Sequence, residues 1–149
     1  MTDIIPLAEE HYGDWLKLYQ GYAAHYQVEL TDDGVAATWR WLMDPAHPCT
    51  GVVASVDGKL VGLAHVRAMP SPLRGAEVGF LDDLFVDPSS RGGGVGADLL
   101  DHLNRMAEDK GWPVIRWITR DNNYRARTLY DRKAVRSDWI TYEMKTGEM

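Results

Sequence analysis

The sequence predicts an α/β fold of the α+β class, in which a mixed central sheet is flanked by helices. Three observations predict it. Asp57-Gly58 separates two apolar, β-branched runs and so marks a hairpin. Aromatic residues recur at helical spacing within residues 8–26. Residues 80–100 read as a strand, a glycine-rich turn and an apolar-periodic helix, and the whole chain reads as β-α-α-β-β-β-α-β-α-β.

Length and composition favour one globular domain that covers residues 1–149. Hydrophobic residues make up 45% and charged residues 26%, which is ordinary for a soluble protein. Cys49 is the single cysteine, so no disulfide can form within the chain, and a cytoplasmic location is expected. No leader sequence or membrane-spanning apolar run is recognised, so no membrane partner is expected.

Charge and histidine spacing argue against two further classes of function. The net charge of −6 disfavours nucleic acid as a partner and would attract a cationic molecule. The five histidines are scattered without ligand spacing, so no metal site is expected.

The first part of the chain predicts a strand at 3–7 and a helix at about 8–26. One face of this helix carries an aromatic stripe, formed by Trp15, Tyr19, Tyr22 and Tyr26. We favour the interpretation that the stripe packs on the sheet. In the alternative, Tyr22 and Tyr26 line a pocket for an acceptor molecule, since tyrosine combines an apolar ring with a polar tip.

The remaining elements follow from caps and turns. A second helix at 33–43 is capped by Thr31 and Asp32. Three strands come next, at 50–56, 59–69 and 77–86. The helix after the glycine turn runs to about Asp109, and Gly111 ends it. The order is completed by a strand, a short helix and a last strand, at 114–119, 124–132 and 137–145.

The glycine turn has the features of an anion-binding site. It reads Arg91-Gly92-Gly93-Gly94-Val95-Gly96. The first turn of a helix has backbone N–H groups without intrahelical partners, and the aligned peptide dipoles make that end positive. Glycines let a phosphate approach the backbone, and Arg91 adds charge, so a pyrophosphate suits this turn.

Three kinds of phosphate-binding turn compete for this sequence. A mononucleotide P-loop requires Gly-Lys-Ser/Thr, which the chain lacks. A dinucleotide fingerprint matches as Gly92-x-Gly94-x-x-Ala97, but residues 87–91 intervene and too little chain remains for a doubly wound sheet. The run Arg91-x-x-Gly94-x-Gly96 matches the Arg/Gln-x-x-Gly-x-Gly/Ala signature in full, and by it the chain resembles the GNAT-superfamily N-acetyltransferases.

The resemblance covers nearly the whole chain, because the predicted element order is also the order of GNAT acetyltransferases. It implies the GNAT-type acyl-CoA N-acyltransferase fold, with acetyl-CoA as co-substrate. In this family the strand before the loop splays from its neighbour and its backbone N–H groups hold the cofactor. The cofactor-binding residues so implied are Leu84, Phe85 and Val86 on the strand, Arg91, Gly92, Gly93, Gly94, Val95 and Gly96 in the turn, and Asn123.

A second motif carries the same resemblance. Asn123-x-x-Ala126-x-x-Leu129-Tyr130 matches the family segment in which the Asn contacts the pantetheine arm. The tyrosine seven residues later is commonly the general acid, which implies Tyr130 here. A phenol near the departing thiolate can supply the proton that this leaving group needs.

Two adjacent carboxylates are the candidates for a general base. Asp82 and Asp83 should point to opposite faces of a regular strand. Some polyamine-acetylating members have Glu-Asp at this place with the Glu as proposed base, which favours Asp82, acting on the acceptor amine through a water. Asp83 is then an acceptor-binding or a structural residue.

The chain resembles most the GNAT branch that acetylates polyamines and histone-tail lysines. We therefore expect acetyl transfer to a primary amine of a small molecule or peptide, by direct attack in a ternary complex. A non-catalytic acyl-CoA-binding sensor and a dinucleotide-dependent redox protein stay open as alternatives. Residues 131–138 lack the Gly-Phe turn that many members have, which leaves open the acceptor and a homodimer through the last strand.

Overall fold

A computed structural model describes residues 2–147 of the chain. The chain divides into two compact units, Met1–Thr119 and Arg120–Met149. The single domain expected over residues 1–149 stays a prediction.

The first unit is a five-stranded sheet covered by helices. Its elements are β1 (Thr2–Pro6), a 3-10 helix (Glu9–His11), α1 (Tyr12–His25), α2 (Asp32–Met43), β2 (Cys49–Val56), β3 (Lys59–Ser71), β4 (Ala76–Val86), a second 3-10 helix (Pro88–Ser90), α3 (Val95–Lys110) and β5 (Ile115–Arg116). The strands lie in the order β1-β2-β3-β4-β5. Neighbours are antiparallel except for β4 and β5, which are parallel, so the sheet is mixed as predicted.

Local sequence signals place the hairpin and the helix ends. Asp57 and Gly58 have φ of 51° and 80°, the left-handed pair that matches the twist of a two-residue hairpin. The Thr31 hydroxyl accepts a hydrogen bond from the Gly34 backbone N–H at 3.0 Å and so caps α2. Gly111 ends α3 with φ of 76°. The hairpin, the cap by Thr31 and the glycine at the end of α3 are confirmed, whereas Asp32 is the first residue of α2 and not its cap.

Helices cover both faces of the sheet because strand side chains alternate in direction. On one face, Leu63 of β3 packs with Trp15 of α1. The same core cluster also contains Leu18, Val53, Leu60 and Phe85. The neighbouring Gly62 faces the other way, since a Cβ there would lie 3.3 Å from Leu99 and 3.4 Å from Val95 of α3. The packing of the aromatic stripe on the sheet is therefore observed at Trp15.

β4 contains a β-bulge. His65 of β3 pairs with Asp83, and the following Val66 pairs with Leu81, so that Asp82 is an extra residue in β4. A bulge bends its strand and changes the direction of nearby side chains, and bulges are frequent beside active sites.

Two predicted elements differ in extent. The helix expected at 8–26 begins as the 3-10 turn Glu9–His11, in which the His11 N–H bonds to the Ala8 carbonyl at 3.0 Å. The strand expected at 114–119 is reduced to Ile115–Arg116, because only these residues pair with β4.

The second unit contains α4 (Tyr124–Lys133) and a segment that follows it. The last strand predicted at 137–145 is wrong, since residues 134–147 are neither helix nor strand. A strand needs a neighbour to receive its backbone hydrogen bonds, and no ladder pair within residues 2–147 involves this segment. The apolar side chains that suggested a strand are 74–90% exposed: Trp139, Ile140, Tyr142 and Met144.

Candidate active site

The glycine turn begins with a bend that is fixed by its own side chains. The Asp87 carboxylate accepts hydrogen bonds from the Ser89 N–H and hydroxyl, each at 3.1 Å, and the backbone bond lowers the pKa of Asp87. The Arg91 Nε then donates to the Val86 carbonyl at 3.3 Å, and the guanidinium lies 5.7 Å from the centre of the Phe85 ring. The cation of Arg91 is thus held beside the end of β4.

Backbone conformation explains two of the glycines in the turn. Gly92 and Gly94 have φ of 89° and 81°, a region that other residues adopt only with strain. Gly93 is different, because a Cβ on it would meet only the Ser90 carbonyl oxygen, at 3.7 Å. Packing within the chain therefore does not require a glycine at position 93, whereas a ligand that approaches the backbone would.

The first turn of α3 supplies the donors for such a ligand. Gly94 is the N-cap, and its carbonyl accepts from the Asp98 N–H at 2.9 Å. The Asp98 N–H makes the first hydrogen bond within α3. The N–H groups of Val95, Gly96 and Ala97 lie in the turn before it and have no acceptor within the helix. The turn and the helix dipole can together receive a pyrophosphate.

The outer edge of β4 is open next to the turn. Within the first unit, β5 pairs with β4 only at Gly79 and Phe80. The Asp87 N–H bonds to the Val61 carbonyl on β3 at 2.8 Å. In an antiparallel pair, the backbone N–H and C=O groups of successive residues point alternately toward the paired strand and away from it. The backbone groups of Val86 and Leu84 consequently face the open edge, whereas those of Phe85 face β3. Of the three backbone positions expected to hold the cofactor, two are aimed outward.

The bulge brings the two carboxylates to one face of the sheet. Asp83 Oδ2 lies 2.7 Å from His65 Nδ1, and Asp82 Oδ2 accepts from Arg67 Nε at 2.8 Å. His65 and Arg67 are two residues apart on β3 and so share a face. The prediction that Asp82 and Asp83 point to opposite faces is wrong, because the extra residue interrupts the alternation.

Tyrosines of α1 lie against these carboxylates. The Tyr22 hydroxyl donates to the Asp82 carbonyl at 3.4 Å, and the Tyr22 ring lies 6.2 Å from that of Phe85. The rings of Tyr22 and Tyr26 are 5.0 Å apart, and both side chains are half-buried. Tyr22 therefore packs its ring against the core and extends its hydroxyl to the bulge, and its place in an acceptor pocket stays a prediction.

The face around the bulge is electrostatically negative. Burial and then the Asp83 carboxylate raise the pKa of Tyr19 and of Tyr22, so both hydroxyls stay protonated as donors. Burial and then Asp82 raise the pKa of the Cys49 thiol. Burial disfavours a charge of either sign, so it is the carboxylates of Asp82 and Asp83 that would attract an ammonium group to this face.

Four residues of this face were not predicted from the sequence as site residues. They are Trp15 in its role as a hydrogen-bond donor, Tyr19, His65 and Arg67. His65 and Arg67 lie on a strand whose partners were unknown, so their contacts with β4 had no signal in the sequence. The spacing of Trp15, Tyr19 and Tyr22 did show that their side chains share a face.

The second unit carries the two other predicted site residues. Asn123 is the N-cap of α4, and its carbonyl accepts from the Arg127 N–H at 3.0 Å. Tyr130 follows two helical turns later, so the two residues lie on one side of α4, and both are half-buried.

Two negative findings apply to the described part of the chain. Residues 2–147 contain no group of three or more His, Cys, Asp or Glu that could hold a metal ion. Among the helices that the structure describes, none is long and apolar enough to cross a membrane.

Known proteins share this fold and sequence pattern. A D-amino-acid N-acetyltransferase of Saccharomyces cerevisiae is 28% identical over 131 residues, which are 87% of this chain and 81% of that protein. A ribosomal-protein-alanine N-acetyltransferase of Brucella melitensis biovar Abortus 2308 is 28% identical with a TM-score of 0.79, covering 97% of this chain and 99% of that one. An aminoglycoside N-acetyltransferase in complex with CoA has a TM-score of 0.82 at 21% identity, covering 98% and 95%, which shows a similar fold.

The family assignment comes from the sequence itself. Residues 15–134 match the family described as Acetyltransferase (GNAT) family. Members of this family use acetyl-CoA as co-substrate, so the expected fold class, cofactor and enzyme class are confirmed. The match across most of the chain, on a mixed sheet with a glycine turn before α3, shows that this chain belongs to the GNAT family of acetyl-CoA-dependent N-acetyltransferases.

Proposed function

We propose that the chain acetylates the primary amine of a small acceptor, such as a polyamine or another small amine, or a lysine side chain. The amine attacks acetyl-CoA directly in a ternary complex. The observation that carries the proposal is the β4 bulge, which places Asp82 and Asp83 on one face beside the tyrosines of α1. A cationic amine would be attracted to this face.

The open edge and the glycine turn are the proposed cofactor site. The pyrophosphate lies on the N–H groups at the start of α3, with the Arg91 charge nearby. The outward N–H groups of Leu84 and Val86 hold the pantetheine arm and the thioester oxygen, where a backbone donor stabilises the oxyanion of the tetrahedral intermediate. Asn123 would contact the same arm.

Two side chains are proposed to move protons. Asp82 takes a proton from the acceptor ammonium through a water, because an amine attacks only in its neutral form. Its side chain is 34% exposed, so water can reach it. Tyr130 gives a proton to the coenzyme A thiolate as the intermediate breaks down.

The cofactor and the reaction can be tested in sequence. Calorimetric titration with acetyl-CoA should show saturable one-to-one binding, whereas NADH should not bind. Thiol release is then measured with cadaverine, D-lysine and a lysine peptide. Binding of acetyl-CoA without thiol release from any amine would favour a non-catalytic acyl-CoA sensor, and no binding would refute the proposed site.

Arg67 favours a second acceptor class, the amino acids. Its side chain is 37% exposed, and its guanidinium lies between Asp82 and the Phe80 ring, 4.7 Å from the ring centre. A guanidinium can bind an acceptor carboxylate while the neighbouring Asp83 meets the ammonium group. The relative from Saccharomyces cerevisiae named as a D-amino-acid acetyltransferase supports this class. D-lysine and cadaverine differ by that carboxylate, so their relative kcat/KM separates the two classes.

Replacing Asp82 with Asn is expected to lower kcat about 10²-fold and to shift the pH profile of kcat/KM, because an amide cannot take the proton of the acceptor ammonium. The change keeps the shape of the side chain and removes the proton acceptor. The matched control is Asp109→Asn, which alters an exposed carboxylate near the end of α3 and should keep the pH profile. Wild-type rates across pH for D82N would remove Asp82 from the mechanism.

Replacing Gly93 with Ala is expected to weaken acetyl-CoA binding roughly tenfold, because a methyl group would hold the pyrophosphate away from the backbone. The melting temperature should not fall, since that methyl would meet only the Ser90 oxygen. Gly13→Ala is the control, because a Cβ at Gly13 meets nothing within 4 Å and this residue lies outside the turn. Equal Kd values for both variants would contradict this use of the turn.

A homodimer through the C-terminal segment belongs to the same proposal. The segment after α4 exposes apolar side chains, among them Val135 at 93%, Tyr142 at 85% and Trp139 at 76%. A second copy of the chain could cover them and supply a hydrogen-bonding neighbour for a strand. Sedimentation velocity should show a dimer that Trp139→Glu dissociates, and a monomer at every concentration of the native chain would contradict it.

A further inference from the structure

A chain of three polar groups runs from the core to the bulge. The Trp15 indole Nε1–H donates to His65 Nε2 at 2.9 Å, and His65 Nδ1 lies 2.7 Å from Asp83 Oδ2. Trp15 is 0% and His65 4% exposed, whereas the Asp83 side chain is 18% exposed. The proposed mechanism uses neither Trp15 nor His65.

The hydrogen-bonding groups of Trp15 and Asp83 determine the tautomer of His65, which lies between them. An indole N–H can only donate, and a carboxylate can only accept. His65 Nε2 must therefore carry the lone pair and Nδ1 the proton, so the imidazole is neutral. Adding a proton to Nε2 would break the buried bond from Trp15, which costs the desolvation of an unsatisfied donor.

We propose that Trp15 and His65 hold the Asp83 carboxylate in one orientation, so that Asp83 is the fixed anchor for the ammonium group of the acceptor. His65 is a positioning residue, since it acts through Asp83 and does not touch the acceptor. Tyr19 and Tyr22 of α1 lie on the same side, where burial and then the charge of Asp83 raise the pKa of both hydroxyls. The inference rests on the proposed function, and it divides the work between an anchoring Asp83 and a proton-accepting Asp82.

The orientation matters because an ammonium group has directional donors. A carboxylate held by a buried imidazole loses little rotational freedom when the acceptor binds, which lowers the entropic cost of recognition. The bulge separates the tasks, because Asp83 stays in register with His65 while the extra residue Asp82 reaches Arg67 at the more exposed edge.

Two amide replacements separate the two bonds of His65. Asn places an amide nitrogen near the position of Nδ1 and can still donate to Asp83. Gln places its amide group near the position of Nε2, so it can accept from Trp15 but leaves Asp83 without its donor. If His65 positions Asp83, His65→Gln should raise the acceptor KM roughly tenfold while KM for acetyl-CoA stays constant. His65→Asn should then have an acceptor KM near that of the wild type. A purely structural role predicts equal losses of melting temperature and an unchanged acceptor KM in both.

A double-mutant cycle and a spectrum complete the test. In an Asp83→Asn background, His65→Gln should cause no further rise of the acceptor KM, since the group that it orients is already altered. The ¹⁵N–¹H spectrum of the native chain should show the His65 proton on Nδ1. A proton on Nε2, an additive cycle, or equal acceptor KM values for the two amide variants would overturn the inference.

The failure of this inference differs from the failure of the proposed function. If the native chain binds acetyl-CoA but acetylates none of cadaverine, D-lysine and the lysine peptide, both the proposed function and the anchoring role of Asp83 are refuted. The spectrum would still show which nitrogen of His65 carries the proton. If the native chain is active and the acceptor KM of the His65→Gln variant is unchanged, only the positioning role of His65 is refuted. Should His65→Gln not fold, Trp15→Phe gives the same test. Without the indole donor the imidazole is held by Asp83 alone, so the acceptor KM should rise, and an unchanged acceptor KM would contradict the inference.

Discussion

Replacement of Tyr130 with Phe is expected to reduce kcat for acetyl transfer by about 10²- to 10⁴-fold, the usual contribution of a general acid. The phenol is proposed to protonate the departing thiolate, and phenylalanine keeps the ring while it removes the proton. Because the group acts in the transition state and not in binding, KM for acetyl-CoA should change little. Steady-state thiol release across pH measures both quantities.

The same helix provides the control for this variant. Tyr124 also lies in α4 but is 72% exposed, so Tyr124→Phe removes a hydroxyl from the helix surface and should leave kcat unchanged. Because Tyr130 is half-buried, unfolding curves of both variants show whether the helix is intact. A Y130F enzyme with the wild-type kcat and pH profile would assign proton donation to another group.

Replacement of Trp15 with Ala is expected to lower the free energy of unfolding by about 3–5 kcal/mol, the range for truncating a large buried aromatic side chain. Trp15 is 0% exposed, and its ring centre lies 4.8 Å from that of Trp39 and 5.3 Å from that of Tyr19. The truncation opens a cavity among these rings and also leaves His65 Nε2 without its donor. Denaturant unfolding, followed by circular dichroism, measures the loss.

An exposed tryptophan is the matched control for stability. Trp41 of α2 is 45% exposed, and its ring stacks on His47 with centres 5.3 Å apart. Trp41→Ala should cost less than about 1 kcal/mol, as surface substitutions usually do. Equal losses for Trp15→Ala and Trp41→Ala would mean that the cluster around Trp15 is not the core of the first unit.

The sequence alone determined the features that depend on neighbours along the chain. Asp57-Gly58 predicted the hairpin because two left-handed residues in succession suit few other structures. Arg91 and the glycines before Val95 predicted the turn and the start of α3, since φ, helix N–H groups and dipole are local properties. The same run identified the family.

Only the tertiary structure decided the features that depend on which strands pair. The bulge at Asp82 arises from the register between β3 and β4, and it overturned the predicted directions of Asp82 and Asp83. The contact of His65 with Asp83 spans 18 positions and that with Trp15 spans 50, so no local pattern signals either one. The segment at 137–145 has the composition of a strand but no ladder partner among residues 2–147. Strand propensity is a local quantity, whereas strand pairing and side-chain direction depend on a neighbour that only the folded chain provides.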